Sequence, residues 1–131
     1  MQTKNALQEI WSLLDSNPFL RANNASVWLT TAPPGYEYPG IMLTIIGGED
    51  HRTAAGKYCE EFDLQVSCYG TSVDDVMTIS HLVETALHDY KGLETDLMYC
   101  RRVSSGPLLS NREDSITEYV YITEYRVMAR T

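Results

Sequence analysis

A chain of 131 residues, 44% hydrophobic and 21% charged, fits one domain; about two-thirds of the unfolded surface is buried at this size, so the core needs no disulfide or metal staple. A formal charge of −8 and a pI near 4.7 exclude a protein that grips the nucleic-acid backbone, because such binding runs on Lys and Arg displacing counterions. Three cysteines without CxxC spacing (Cys59, Cys68, Cys100) exclude a disulfide framework and an unaided four-ligand zinc site, and no apolar run approaches the roughly 18 residues of a membrane span. Free thiols, with neither export nor membrane insertion, are therefore expected.

Residues 3 to 16 place Leu7, Ile10 and Leu14 at i, i+3, i+7, widened by Ala6, Trp11 and Leu13, which predicts an amphipathic helix. Asn17-Pro18 ends it, since proline disfavours helical geometry in the residue before it. Val27 to Thr31 reads as a short strand, and the turn-rich APPGYEYPG leads into IMLTII (41–46), an apolar run suited to a central strand. The segment GGEDHRTAAGKYC (47–59) follows and is expected to be a long, polar, flexible loop. EEFDLQVSCY then alternates, with Phe62, Leu64, Val66 and Cys68 on one face, as in a strand with one buried side.

Gly70 breaks that strand, and Ser72 with Asp75 three residues on is a capping signal for a helix whose buried stripe is Val76, Ile79, Val83, Leu87 and Tyr90. A strand around Leu97 to Val103, a loop SSGPLLSNREDS and a long strand from Ile116 to Met128 complete the chain. The last strand has mixed parity: Tyr119, Tyr121, Tyr125 and Val127 share one face, Val120, Ile122 and Met128 the other, so either a bulge switches faces or both are partly covered. The order α-β-β-β-α-β-β predicts a single α+β domain over 1–131, a two-layer sandwich with two helices on one face of a mostly antiparallel sheet of about five strands.

The chemistry-rich segment 47–59 fits neither a phosphate loop nor a metal site. A phosphate loop requires G-x-x-x-x-G-K-[ST] running into a helix; here His51 stands where the first glycine belongs, Tyr58 follows Lys57, and a strand pattern comes next. A metal or ligand site on Glu49, Asp50, His51 and Cys59 lacks a second His or Cys pair at ligand spacing. His81 and His88 lie about 10 Å apart along the second helix, too far to share an ion, and no GxSxG or placed base supports a nucleophile. No catalytic, cofactor-binding or metal residue is assigned, and the chain is read as a non-enzyme.

The pieces LQEIWSLLDSNP (7–18), YPG (38–40), QVSCYGTSVDDV (65–76) and YVYITEYRV (119–127), in this order, resemble the tail-completion (tail-terminator) proteins of long-tailed bacteriophages. The strand-to-helix junction within 66–76 is the most specific of them, and the resemblance spans nearly the whole chain. It implies a structural virion protein, working at the head-proximal end of the tail after assembly in the host cytoplasm. Such a protein forms a hexameric ring with copies of itself, stops tail-tube polymerisation and meets the neck and head-completion proteins. DNA would pass through its lumen without specific binding. A ring needs one surface of each subunit to meet a different surface of the next. The residues expected there are Glu49, Asp50, His51 and Arg52, with Arg101 and Arg102 against a neighbour's acids and the aromatic row Tyr119, Tyr121 and Tyr125. Another neck, head-closure or minor tail protein is the nearest alternative, and a small metal-dependent or ligand-binding domain using 49–59 is the alternative of a different class.

Overall fold

The computed structural model describes the backbone of residues 2–32, 37–52, 58–90, 97–113 and 116–130, and the side chains within these ranges except those of 2–5, 49–52, 58–60, 97–98, 113 and 130. Helix α1 (Gln2–Asp15) turns Ala6, Ile10 and Leu14 fully inward, an i, i+4, i+8 line, with Leu7, Trp11 and Leu13 on its flanks. The Trp11 indole N–H donates to the Val27 carbonyl at 3.0 Å, tying the helix to the first strand. Asn17-Pro18 does end this helix, and it also starts another that the sequence reading did not anticipate. The Asn17 side chain caps the amides of Phe19 (2.9 Å) and Leu20 (3.1 Å), Pro18 sits where a missing N–H costs nothing, and the single turn α2 (Pro18–Ala22) buries Leu20.

Five strands follow in the order β1-β2-β3-β5-β4: β1 (Ser26–Leu29), β2 (Gly40–Arg52), β3 (Tyr58–Gly70), β4 (Leu97–Glu113) and β5 (Ile116–Arg130). All neighbours are antiparallel except β1 with β2. Helix α3 (Val73–Leu87) is capped by Ser72, whose hydroxyl accepts from the Asp75 amide at 3.1 Å, and it buries Val76, Ile79, Val83 and Leu87. The sheet answers with Ile41 and Leu43 of β2, Phe62, Leu64, Val66 and Cys68 of β3, and Thr123, Tyr125, Val127 and Ala129 of β5. This is the expected α+β sandwich, with the short α2 as an added element. Each large aliphatic side chain in this core stabilises the fold by roughly 1.5–3 kcal/mol.

Two long segments expected to be loops are strands. Backbone pairing of β2 with β3 continues from Gly47↔Asp63 to Arg52↔Tyr58, so 47–52 and 58–59 of the loop expected over 47–59 are strand, and 53–57 lie outside the described residues. Of the loop expected over 104–115, residues 104–113 are the second half of β4, paired from Ser104↔Glu124 to Glu113↔Ile116, and 114–115 lie outside the described residues. Glycine and proline there suggested a turn. Instead the strand absorbs Gly106 (φ +88°) and Pro107 in one of three register shifts, each of which inserts one extra β4 residue against β5.

Candidate assembly surface

The expected contact residues fall in three places. Glu49, Asp50, His51 and Arg52 are ladder positions of β2, opposite Glu61, Glu60, Cys59 and Tyr58. Their side chains lie outside the described residues, as does that of Cys59, and with them the alternative metal ligands. Among the described residues no group of three or more His, Cys, Asp or Glu converges on a point that could hold an ion. In backbone register, however, the arm sets Glu49 against Glu61 and Asp50 against Glu60, like charges directly across a ladder, an arrangement that costs stability unless a cation intervenes. Arg126 supplies part of that relief, with its Nε 3.3 Å from Asp63 and 3.6 Å from Glu61 on the face away from the helices; the Asp63 hydrogen bond leads in raising its pKa.

Arg101 and Arg102 point to opposite sides of β4. Arg102 lies on the helix side, 3.5 Å from Glu84 of α3, and its backbone amide donates to Nδ1 of His88 at 3.2 Å. It is therefore engaged within its own chain, although a pair this exposed contributes only about 0–1 kcal/mol. The other ring nitrogen of His88, Nε2, lies 3.5 Å from Asp89. Arg101 stands across from Arg126 on the open face, exposed and without an ion pair among the described residues.

The tyrosine row divides. Tyr119 and Tyr121 are half-buried and pack against the core, whereas Tyr125 is wholly buried and is withdrawn as a contact residue. It pairs with Leu64 beneath α3, so the parity that aligned the three tyrosines aligned them toward the helices, not toward solvent. Its hydroxyl has no hydrogen-bond partner among the described residues, and burial, with Glu84 next in effect, pushes its pKa up.

Besides Phe19, Val73 and Met77 on the helices and Leu29 on β1, six exposed apolar residues on the longer strands escaped the sequence reading: Ile45 and Ile46 on β2, Val103, Leu108 and Leu109 on β4, and Ile116 on β5. They sit where the sheet lacks a neighbouring strand. β1 covers β2 only from Gly40 to Leu43, because the backbone turns away at Thr30 (φ 67°), whose amide makes the last bond, to Leu43 O. On the other side, the Cys100 amide donates to Tyr90 O at 3.0 Å and Arg102 is met by His88, which leaves β4 beyond 102 uncovered. The covered and uncovered halves divide at one level of the sheet: Thr44 and Glu124 both pair with Gln65, and Glu124 pairs with Ser104.

This architecture is shared with a virion chain. Among solved structures, the fold matches a chain of the "Virion of native gene transfer agent (GTA) particle", with a TM-score of 0.70, covering 98% of this chain and 97% of that one at 14% identity. Identity that low speaks for the fold, and coverage that high means the fold is shared from end to end. No protein-family model matches this chain, and no curated protein sequence matches it.

Proposed function

We propose that the protein is a non-enzymatic structural component of a phage-like virion, a tail terminator that assembles as a ring on the head-proximal end of the tail tube. The observation that carries this reading is the end-to-end fold likeness to a chain of the gene transfer agent virion. Two features support it. Exposed apolar residues line two different edges of the sheet, as a subunit needs if it meets unlike surfaces on two neighbours. The net charge of −8 suits a lumen through which DNA slides without adhering. The ring would join the tail tube on one side to neck or head-completion proteins on the other, with six copies as the expected closure.

Static light scattering on the isolated chain, repeated with tail-tube protein and followed by particle imaging, tests the reading. Six-fold rings seated on tube ends are the expected result. A chain that stays monomeric at every concentration and never associates with tubes overturns it, and binding to a neck or portal assembly in place of the tube would reassign the protein to head closure.

A further inference from the structure

The two uncovered half-edges fit one another. We propose that the free half of β4 (103–113) in one copy adds antiparallel to the free half of β2 (44–52) in the next, so that a continuous sheet links the subunits. This inference deepens the ring reading and rests on it.

Three observations converge. Both half-edges carry unpaired ladder positions, the kind of template that recruits another strand, and no described helix or loop covers either; in β4 the regular stretch Leu108–Glu113, past Pro107 and the register shift at 105–108, presents them. Polarity is right as well: β2, β3, β5 and β4 alternate in direction, so β4 of one copy brought beside β2 of another in the same facing runs antiparallel to it. Finally, the free halves lie at opposite ends of the sheet, one from Gln65 toward Tyr58 and the other from Gln65 toward Gly70 and past it. Two copies therefore engage only by stepping diagonally, which keeps β1 of one clear of the 88–90 segment of the other.

Side-chain character agrees with that pairing. Ile45 and Ile46 on one half-edge, and Val103, Leu108 and Leu109 on the other, are each between 38% and 50% exposed, and joining the edges buries them together. Transfer of such side chains out of water outweighs any exposed ion pair, so apolar contact supplies the affinity. Charge does not oppose the pairing: the β4 half carries Arg112 and Glu113, and the β2 half carries Glu49, Asp50 and Arg52, so each side holds both signs. A head-to-tail contact of this kind leaves every copy with one free edge of each type until the ring closes.

Cysteine cross-linking tests the pairing. In a Cys59→Ser background, whose remaining thiols Cys68 and Cys100 are buried, Ile46→Cys and Leu109→Cys are made singly and together and treated with a short bis-maleimide that tolerates small differences in register. The double variant is expected to give a ladder of cross-linked species ending at the closed ring. Each single variant should give none, and a mixture of the two singles should stop at dimers. Self-cross-linking of either single variant overturns the proposal in favour of a two-fold edge contact. Rings that form by light scattering but leave the double variant uncross-linked place the interface elsewhere while the ring reading survives, and adducts between a single variant and tube protein assign the edge to the tube. Absence of assembly in the unmodified protein, with and without tube protein, defeats the ring reading and this inference with it. As a second measurement, Ile46→Lys and Leu109→Lys alter only exposed positions, and each alone should abolish ring formation while unfolding like the parent; rings that persist in both overturn the pairing.

Discussion

Single residues in this fold carry their consequences through contacts no more than a few ångströms long. Tyr125 buries a hydroxyl that no partner receives, a defect that typically costs about 1–3 kcal/mol. Tyr125→Phe keeps the ring and removes the orphan oxygen, so the variant should unfold at higher urea, a gain of about 1 kcal/mol; an unchanged or lower midpoint would mean the hydroxyl is satisfied in solution. Gly40 has the opposite sensitivity. A Cβ there would lie 1.9 Å from the Trp28 ring, which packs over the glycine and stands 6.2 Å from Tyr69 between centroids. Gly40→Ala should therefore destabilise by about 1–3 kcal/mol, as overpacking does, and should shift the Trp fluorescence. Neither effect was legible in the sequence. Tyr125 alternated with its neighbours as a surface aromatic might, and the glycine looked like the end of a turn; what decides both is which layer packs above them.

At the level of elements, signals written in adjacent residues were read correctly, and those depending on partners were not. The Ser72 cap, the α3 stripe from Val76 to Leu87 and the alternation of 62–68 each follow from local geometry and appear as expected, whereas Tyr90, expected to extend the stripe, lies past the helix end in a bridge to Cys100. Ser72→Ala should cost about 1 kcal/mol in chemical denaturation, because the Asp75 amide then loses its acceptor at the start of the helix. Against this, 47–52 and 104–113 look like loops because glycine, proline and small polar residues dominate them. They are strands because each has a long partner beside it: β3 carries its ladder to Tyr58, and β5 runs from Ile116 to Arg130. Tertiary pairing overrides local preference most easily in strands, where the partner supplies the hydrogen bonds. The candidate site suffered in the same way, since polar residues drew notice in 49–52 while Leu108 and Leu109 were passed over inside a presumed loop.

For the whole molecule, the core's titrating groups act in one direction. Burial pushes the Cys68 and Cys100 thiols up to about 12 from 9.0, and it is also the leading cause raising Tyr69, Tyr90 and Tyr125, with the Glu9 carboxylate adding to the effect at Tyr90. A group whose folded pKa is raised binds its proton more tightly when folded. The stability it confers is whole below its unfolded pKa and is lost as pH climbs through the folded one. Urea midpoints should thus stay level from neutrality to about pH 8.5 and fall steadily from about pH 9 upward, with the slope dominated by the two thiols. A midpoint equal at about pH 8 and pH 11 would contradict this. In the native protein at about pH 8, both cysteines should also resist alkylation that urea permits.

Thr30 bears on the fate of a population of molecules as well as on one chain. Its left-handed backbone ends β1 at Leu29, and so decides how much of β2 is left bare. In the proposed ring, a chain whose β1 ran a few residues further would close its own β2 edge while still offering β4. Such a chain would dock onto a growing assembly and accept no successor, acting as a poison subunit, and a few copies among many would suffice to keep the proposed ring from closing in a cell that also made the normal protein.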